Sequence, residues 1–257
     1  MIPNASFIPF WTLVRKEVMR VLRIWSQSIV PPILTSSLFI IIFGTALGSH
    51  VPAIHGVPYL AFIVPGLVMM GIIMSAYAST SFSLFISKFQ NSIQELLVSP
   101  ISYWQIIWGL TIGAIVRASL VGLGIGIVGL LLTPITIHNV FVLIFFVIMT
   151  SLLFSFAGIV TALWASNFDQ MNVFSTFVIT PLTYLGGIFY TIGGLPEPWQ
   201  TIAKFNPILY IVDGFRYGFL GASDIPLVYS MLVTTVLTAG FFIVCVHLFK
   251  KGYKIRS

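Results

Sequence analysis

Residue types that could carry out catalysis are few and widely spaced in this sequence. It has six acidic residues in 257, and none lies within three residues of another acid. Paired carboxylates for general acid and base catalysis therefore cannot be built from local sequence. The G-x-S-x-G pattern of serine hydrolases is absent, and no lysine follows a glycine, which excludes the G-x-x-x-x-G-K-[ST] phosphate loop. We expect no catalytic residue and no nucleotide site on this chain.

The histidines and the single cysteine are the remaining candidate metal ligands. No two histidines have the helical i, i+4 spacing or a neighbouring carboxylate, so we interpret them mainly as residues of the membrane interface. Cys245 lies in the last apolar run, where it can form neither an intramolecular disulfide nor a cysteine metal site. We therefore expect no metal and no cofactor on this chain. The histidines are His50, His55, His138 and His247.

One stretch of glycines matches the dinucleotide-binding pattern G-x-G-x-x-G. It runs from Gly124 to Gly129, inside a long apolar run rather than between a strand and a helix. With Gly122 these glycines also form small-x-x-x-small patterns, which let membrane helices approach closely. We expect helix packing here, not nucleotide binding.

Composition places the chain in a membrane. Hydrophobic residues make up 58% of it and charged residues only 7%, which is too little polar surface for a water-soluble globule of this size. The net charge of +6 is concentrated near the two termini, as is typical of membrane orientation signals and lipid contact, so we expect no nucleic-acid partner.

The apolar runs predict an all-α membrane protein with six transmembrane helices in one domain, residues 1–257. A span needs about 20 apolar residues to cross about 30 Å of hydrocarbon. The first run, 29–47, is longer than the core of a signal peptide, so we expect it to be retained. The predicted spans are 28–48, 59–86, 103–132, 140–164, 171–190 and 227–249.

Three further segments have a character of their own. Residues 7–27 predict an amphipathic helix in the membrane interface, and 88–99 predict a short amphipathic helix that stops before a proline. Residues 191–226 are rich in Gly, Pro and aromatics, which favours two short helices tucked into the outer interface. The two termini, the segment around Lys88 and the turn at Asn167 together hold nine of the twelve Lys and Arg residues. Positive residues favour the cytoplasmic side and the number of predicted spans is even, so both termini are predicted to be cytoplasmic.

Charged residues in the apolar part of the chain define two candidate sites. Arg117 is the one full charge deep in a predicted span, and it serves either a transport path or helix packing. Asp213 and Arg216 are three residues apart and can pair on one face of a short helix. That pair forms either a structural clip or part of an exit gate.

Several of these segments resemble a known family, the transmembrane subunits of ABC-2 type exporters, over nearly the whole chain. The family includes bacterial polysaccharide, nodulation-factor and drug export permeases. The signature near its last span is similar to Pro207, Tyr210, Asp213 and Arg216 here. Residues 93–100 resemble its cytoplasmic segment between spans two and three, and residues 180–187 resemble small bacterial inner-membrane permeases.

The resemblance implies an exporter permease without enzymatic activity of its own. Residues 7–27 would be the connecting helix, and 191–226 the re-entrant outer helices. The coupling helix, 88–99, would dock into a separate ATPase subunit that holds ATP and Mg²⁺. Two ATPase copies, a second copy of this chain and membrane lipids would be its partners. The coupling residues would be Gln90, Gln94, Glu95, Leu96 and Leu97.

An amphipathic, lipid-linked, saccharide or drug-like substrate fits an interface rich in Phe, Tyr and Met. Two other classes of protein stay open from the residues alone. An ATP-independent channel or ion-coupled secondary transporter would usually place several ionisable groups in mid-membrane, where only Arg117 qualifies. A lipid-modifying membrane enzyme would need a carboxylate or histidine cluster at one interface.

Overall fold

The computed structural model describes residues 7–46, 51–54, 56–90, 92–94, 101–133 and 137–254. Helices dominate this part of the chain and no strand is assigned within it, which confirms the predicted all-α membrane class. The helices are α1 Phe7–Arg23, α2 Trp25–Ser28, α3 Val30–Ala46, α4 Tyr59–Phe89, α5 Tyr103–Leu132, α6 Val140–Trp164, α7 Phe168–Phe174, α8 Thr180–Tyr184, α9 Glu197–Lys204, α10 Pro207–Leu220 and α11 Leu227–Lys251.

Five of the helical segments in these ranges are long and apolar enough to cross a bilayer. The first joins α2 to α3 over Trp25–Gly44, and the others are α4, α5, α6 and α11. Helices α5 and α6 have the same limits as the predicted spans 103–132 and 140–164. At 1.5 Å per residue, the 31 residues of α4 and the 30 of α5 are each about 45 Å long, roughly 15 Å more than the hydrocarbon layer.

Helix α4 is the centre of the bundle, because 83% of its most apolar window is buried inside the protein. Helices α3, α5, α6 and α10 pack around it. The contact with α6 is close: a Cβ added at Gly158 would lie 2.6 Å from the carbonyl oxygen of Tyr77. The Thr80 hydroxyl donates to the carbonyl of Ser155 at 2.9 Å across the same contact. Small and hydroxylated side chains thus let these helices pack closely. This is usual in membranes, where the hydrophobic effect does not drive helices to associate.

The predicted fifth span, 171–190, is not a helix over its whole length. The helical run begins earlier, at Phe168, and ends at Tyr184, with a π-helical turn at Ser175–Ile179. The π turn ends two residues before Pro181, which has no N–H and whose ring would clash with the carbonyl four residues back in a regular α-helix. The chain then turns at Gly187, where φ is +74°, a backbone conformation that favours glycine. The helical run therefore ends six residues before the predicted end of the span, although it also begins three residues earlier.

The bundle has two distinct ends. The α1 end contains α1, the start of α5 and the C-terminal ends of α4, α6 and α11, joined by the charged contacts described below. The α9 end contains α9, α10 and the loops beside them. There the Tyr59 hydroxyl donates to the carbonyl of Phe189 at 3.2 Å, and the backbone N–H of His138 donates to the carbonyl of Gly218 at 3.1 Å.

Candidate functional site

The segment that follows α4 is where the sequence places the coupling helix. Ile93 is 3% exposed and belongs to the buried cluster that contains Leu84 of α4 and Ile106 of α5. Gln90, which caps the end of α4, and Gln94 are both exposed. The other predicted coupling residues, Glu95, Leu96 and Leu97, lie outside the described residues.

Helix α1 packs directly against α5 through two glycines. A Cβ added at Gly109 would lie 2.6 Å from a methyl carbon of Leu13, and one added at Gly113 would lie 2.7 Å from Cβ of Glu17. Glycines spaced by four lie on one face of a helix, so this face of α5 accommodates α1. The buried face of α1 therefore meets protein, while exposed apolar residues of α1 lie elsewhere around the helix: Phe7, Ile8, Trp11, Met19 and Leu22.

Glu17 is a buried carboxylate at the centre of this contact, and it is only 3% exposed. Arg20 donates to Glu17 Oε2 from Nη2 at 2.8 Å and from Nε at 3.2 Å. The Ser83 hydroxyl on α4 lies 2.9 Å from both carboxylate oxygens. Arg20 also donates to the carbonyl of Ser79 at 3.2 Å, so α1 is bound to α4 by charged hydrogen bonds as well as to α5 by packing.

Two lysines hold the C-terminal end of α6. Lys88 Nζ donates to the carbonyls of Ala162, Leu163 and Ala165 at 3.0 to 3.1 Å. Lys254 Nζ donates to the carbonyl of Trp164 at 2.8 Å. A cation at a helix C-terminus satisfies free carbonyls and complements the helix dipole. The turn after α6 has no Lys or Arg in its own sequence, yet the tertiary structure places Lys88 and Lys254 beside it.

At the α9 end, Pro207 and Tyr210 shape the junction between α9 and α10. Asn206 caps α10, since its side-chain oxygen accepts from the N–H of Ile208 at 3.0 Å, and Pro207 occupies the first turn. The Asn206 amide donates to the carbonyl of Leu182 at 2.6 Å, which attaches this junction to α8. The Tyr210 hydroxyl donates to the carbonyl of Lys204 at 2.9 Å, which holds the end of α9 against α10.

Asp213 connects α10 to the loop before α11. Its Oδ1 accepts from the N–H of Asp224 at 2.9 Å, and its Oδ2 accepts from the N–H of Ile225 at 3.0 Å. Asp224 in turn accepts from the N–H of Ile192 at 3.0 Å. Burial raises the pKa of the Asp213 carboxyl, while the two N–H groups and the Arg216 charge act in the opposite direction.

Arg216 is buried beside Asp213, at 2% exposure. Its guanidinium carbon lies 3.9 Å from the centre of the Phe62 ring on α4, and Nη2 donates to the carbonyl of Gly187. Nη1 lies 3.8 Å from Asp213 Oδ1. Burial lowers the pKa of Arg216 to about 10. These contacts join α4, the turn after α8 and α10, which is the arrangement of a structural clip.

Arg117 lies on α5 and is neither fully buried nor fully exposed. Its Nε is buried, and no hydrogen-bond acceptor for that atom is found among the described residues. No carboxylate in the same ranges pairs with it, and the nearby charge that acts on it is Arg20. The structure does not bring Arg117 together with Asp213 and Arg216.

The glycine-rich stretch of α5 packs against other helices, as predicted. A Cβ added at Gly122, Gly124 or Gly129 would lie within 3 Å of a side chain from α4 or α3. A Cβ at Gly126 would meet nothing, because this residue borders an apolar groove of about 530 Å³ between α5 and α6. No cluster of three metal-binding side chains occurs in the described ranges, which leave out His50 and His55.

Sequence reasoning missed Glu17, Ser83 and Lys88 as connecting residues. The one available signal was the regular spacing of serines on α4 at positions 75, 79, 83 and 87, which places four hydroxyls on a single face. These contacts link α1 to α4 and the end of α4 to the end of α6.

Comparison with known proteins agrees with this architecture. A model of the ABC-2 type transporter family matches residues 9–220. The chain is 43% identical over 242 residues to the inner membrane transport permease YadH of Escherichia coli (strain K12), covering 94% of each protein. It is 30% identical over 179 residues to nodulation protein J of Rhizobium leguminosarum bv. viciae, covering 69% of each. It is 27% identical over 219 residues to nodulation protein J of Rhizobium meliloti (strain 1021), covering 84% of this chain and 82% of that protein. The chain is therefore a multi-pass inner-membrane transport permease that belongs to the ABC-2 type transporter family.

Proposed function

We propose that this chain is the membrane subunit of an ATP-driven exporter, which works as two copies with two copies of a separate ATPase subunit. ATP and Mg²⁺ would be bound by that partner. The observation that carries the proposal is the segment after α4, where Ile93 is buried between two spans while Gln90 and Gln94 face outward. A surface held this firmly can receive a movement from a docked protein and pass it to the membrane helices.

Charge and connectivity support a cytoplasmic position for the α1 end. Among the described residues, eight Lys and Arg residues lie at this end: four in α1, one at the end of α4 and three at or just after the end of α11. Positive residues accumulate on the cytoplasmic side of inner-membrane proteins. Both termini would then be cytoplasmic, and α9 and α10 would form re-entrant helices in the outer interface.

The substrate class that fits best is an amphipathic molecule such as a lipid-linked saccharide or a drug-like compound. Ionisable groups are scarce in the described spans: Lys88 already binds backbone carbonyls, and Arg117 is itself a cation, which repels a coupling cation rather than binding it. An ion-coupled transporter would need charged or polar groups free to bind ions within the membrane. This distribution favours export of amphipathic molecules over ion-coupled transport or a channel.

The direct test measures association with an ATPase. The chain is purified from its native membrane in mild detergent, and co-purifying protein and ATP hydrolysis are assayed for the parent, for Gln94→Arg and for Glu95→Arg. Thr201→Arg is the matched control, because it adds the same exposed charge on α9 at the opposite end of the bundle. We expect the first two variants to lose a stoichiometric ATPase and the control to keep it. A chain that purifies alone and supports ion flux in liposomes without ATP would contradict the proposal and favour a channel.

A further inference from the structure

The contact between α1 and α5 continues beyond Glu17. Leu13 meets Gly109 and Glu17 meets Gly113, so each step of four residues along α1 corresponds to a step of four along α5 in the same direction. The two helices are therefore parallel here, and the next step brings the turn that contains Arg20 and Val21 level with Arg117. Electrostatic repulsion between Arg20 and Arg117 is consistent with this register.

The group formed by these residues contains more positive charge than negative charge. Arg20 is paired with Glu17, whereas Arg117 has no carboxylate partner among the described residues and has a buried, unpartnered Nε. Ser75, one turn along α4 from Ser79, also has a buried hydroxyl with no partner in the same ranges. An uncompensated guanidinium at the edge of the hydrocarbon is costly, so this site favours an additional anion.

From its depth in the membrane, the side chain of Arg117 can reach toward the level of the lipid phosphates. Helix α5 is about 15 Å longer than the hydrocarbon layer, and the charged residues of α1 require this excess to lie at the α1 end. Arg117 is fourteen residues past Tyr103, about 21 Å along the helix, and therefore about 6 Å inside the hydrocarbon boundary. An arginine side chain reaches the headgroup region from that depth. Both guanidinium groups have a route outward, since the side chain of Arg20 is 29% exposed and Arg117 is not fully buried.

We propose that Arg20 and Arg117, together the arginine pair, bind the phosphate group of an anionic phospholipid in the leaflet next to α1. A guanidinium presents a planar fork of N–H donors that fits two phosphate oxygens. Basic sites between membrane helices are suited to phospholipid headgroups, and the exposed side chains of Leu22 on α1 and Trp25 on α2 offer apolar surface for the acyl chains. The bound lipid supplies the missing negative charge and stabilises the contact between α1 and α5. This lipid is a structural ligand, separate from whatever the permease exports.

The test counts phosphatidylglycerol bound to the purified full chain by native mass spectrometry, in micelles that contain excess phosphatidylcholine. We expect one saturable phosphatidylglycerol per chain that depends on the arginine pair. Arg117→Gln should weaken its binding about tenfold or more, the effect of losing a charged hydrogen bond. Lys16→Gln is the matched control, since it removes one positive charge from an exposed position on α1 outside the pair, and binding should change less than twofold.

Two further arms keep the proposal falsifiable. Arg117→Lys retains the charge but loses the planar fork, so it tests the site even if Arg117→Gln fails to fold; we expect binding several times weaker than the parent. Inorganic phosphate at millimolar concentration distinguishes a lipid from a free anion, and it should not displace phosphatidylglycerol. Parent-like binding by a folded Arg117→Gln or by Arg117→Lys, an equal loss in Lys16→Gln, or displacement by inorganic phosphate would overturn the proposal.

Discussion

Replacing Glu17 with alanine should weaken the attachment of α1 more than any other single change on that helix. The carboxylate is 3% exposed, and it accepts two hydrogen bonds from Arg20 and one that the Ser83 hydroxyl shares between its oxygens. Removing one partner of a buried ion pair costs about 3 to 5 kcal/mol. Arg20 is 29% exposed and can turn toward water, which reduces the loss to about 2 to 3 kcal/mol. For a chain of this size that corresponds to a fall in melting temperature of about 4 to 12 °C.

The assay is thermal unfolding of the detergent-purified chain, followed by its loss from the monodisperse peak in size-exclusion chromatography. Ser83→Ala removes only one hydroxyl and should cost about 1 kcal/mol. The double variant should cost less than the sum of the two single variants, because Glu17 and Ser83 share one interaction. Lys16→Ala, exposed and adjacent, should leave the melting temperature unchanged. If Glu17→Ala also leaves it unchanged, the carboxylate does not hold α1 in place.

Three further predictions test other contacts. Gly158→Ala should destabilise the protein by about 1 to 3 kcal/mol, because the new methyl would press on a carbonyl oxygen of α4. Gly240→Ala in α11 has open space and should be neutral or stabilising, so equal melting temperatures for these two variants would contradict the packing described. Lys88→Met removes three charged hydrogen bonds from the end of α6 and should cost about 2 to 3 kcal/mol, whereas Lys254→Met, at an exposed position, should lower the melting temperature much less. Asp213→Ala leaves two backbone N–H groups without their acceptor, so hydrogen exchange between α10 and α11 should become faster; unchanged protection there would show that the clip does not hold this loop.

Membrane helices were the part of this fold most accessible from sequence. In hydrocarbon every backbone N–H and C=O must be paired within the segment, so a sufficiently long apolar run can cross only as a helix. This constraint is local, which is why the limits of α5 and α6 follow from the apolar runs alone. The fifth predicted span shows where hydropathy is insufficient: residues 185–190 are apolar, yet the helical run ends at Tyr184 and the chain turns at Gly187.

The sequence also predicted a short amphipathic helix after α4 and placed Asp213 three residues before Arg216. The coupling role of that helix came from the family resemblance and not from spacing, and it stays a prediction. The sequence could not show which residues of other elements these side chains contact. The partners of Arg216 include Phe62 and the carbonyl of Gly187, which lie on other elements.

By itself, then, the sequence determined the class of protein, the number of long apolar runs and the family resemblance, because these depend on residue types and their local order. The tertiary structure alone decided which groups lie beside the charged side chains. Glu17 reaches Ser83 across 66 positions, Lys88 reaches Leu163 across 75, and Arg20 comes level with Arg117 only because two glycines let α1 pack against α5. Hydrogen bonds of this kind depend on helix register and on the approach of helices far apart in the chain. Neither quantity is encoded in the hydropathy of a single segment.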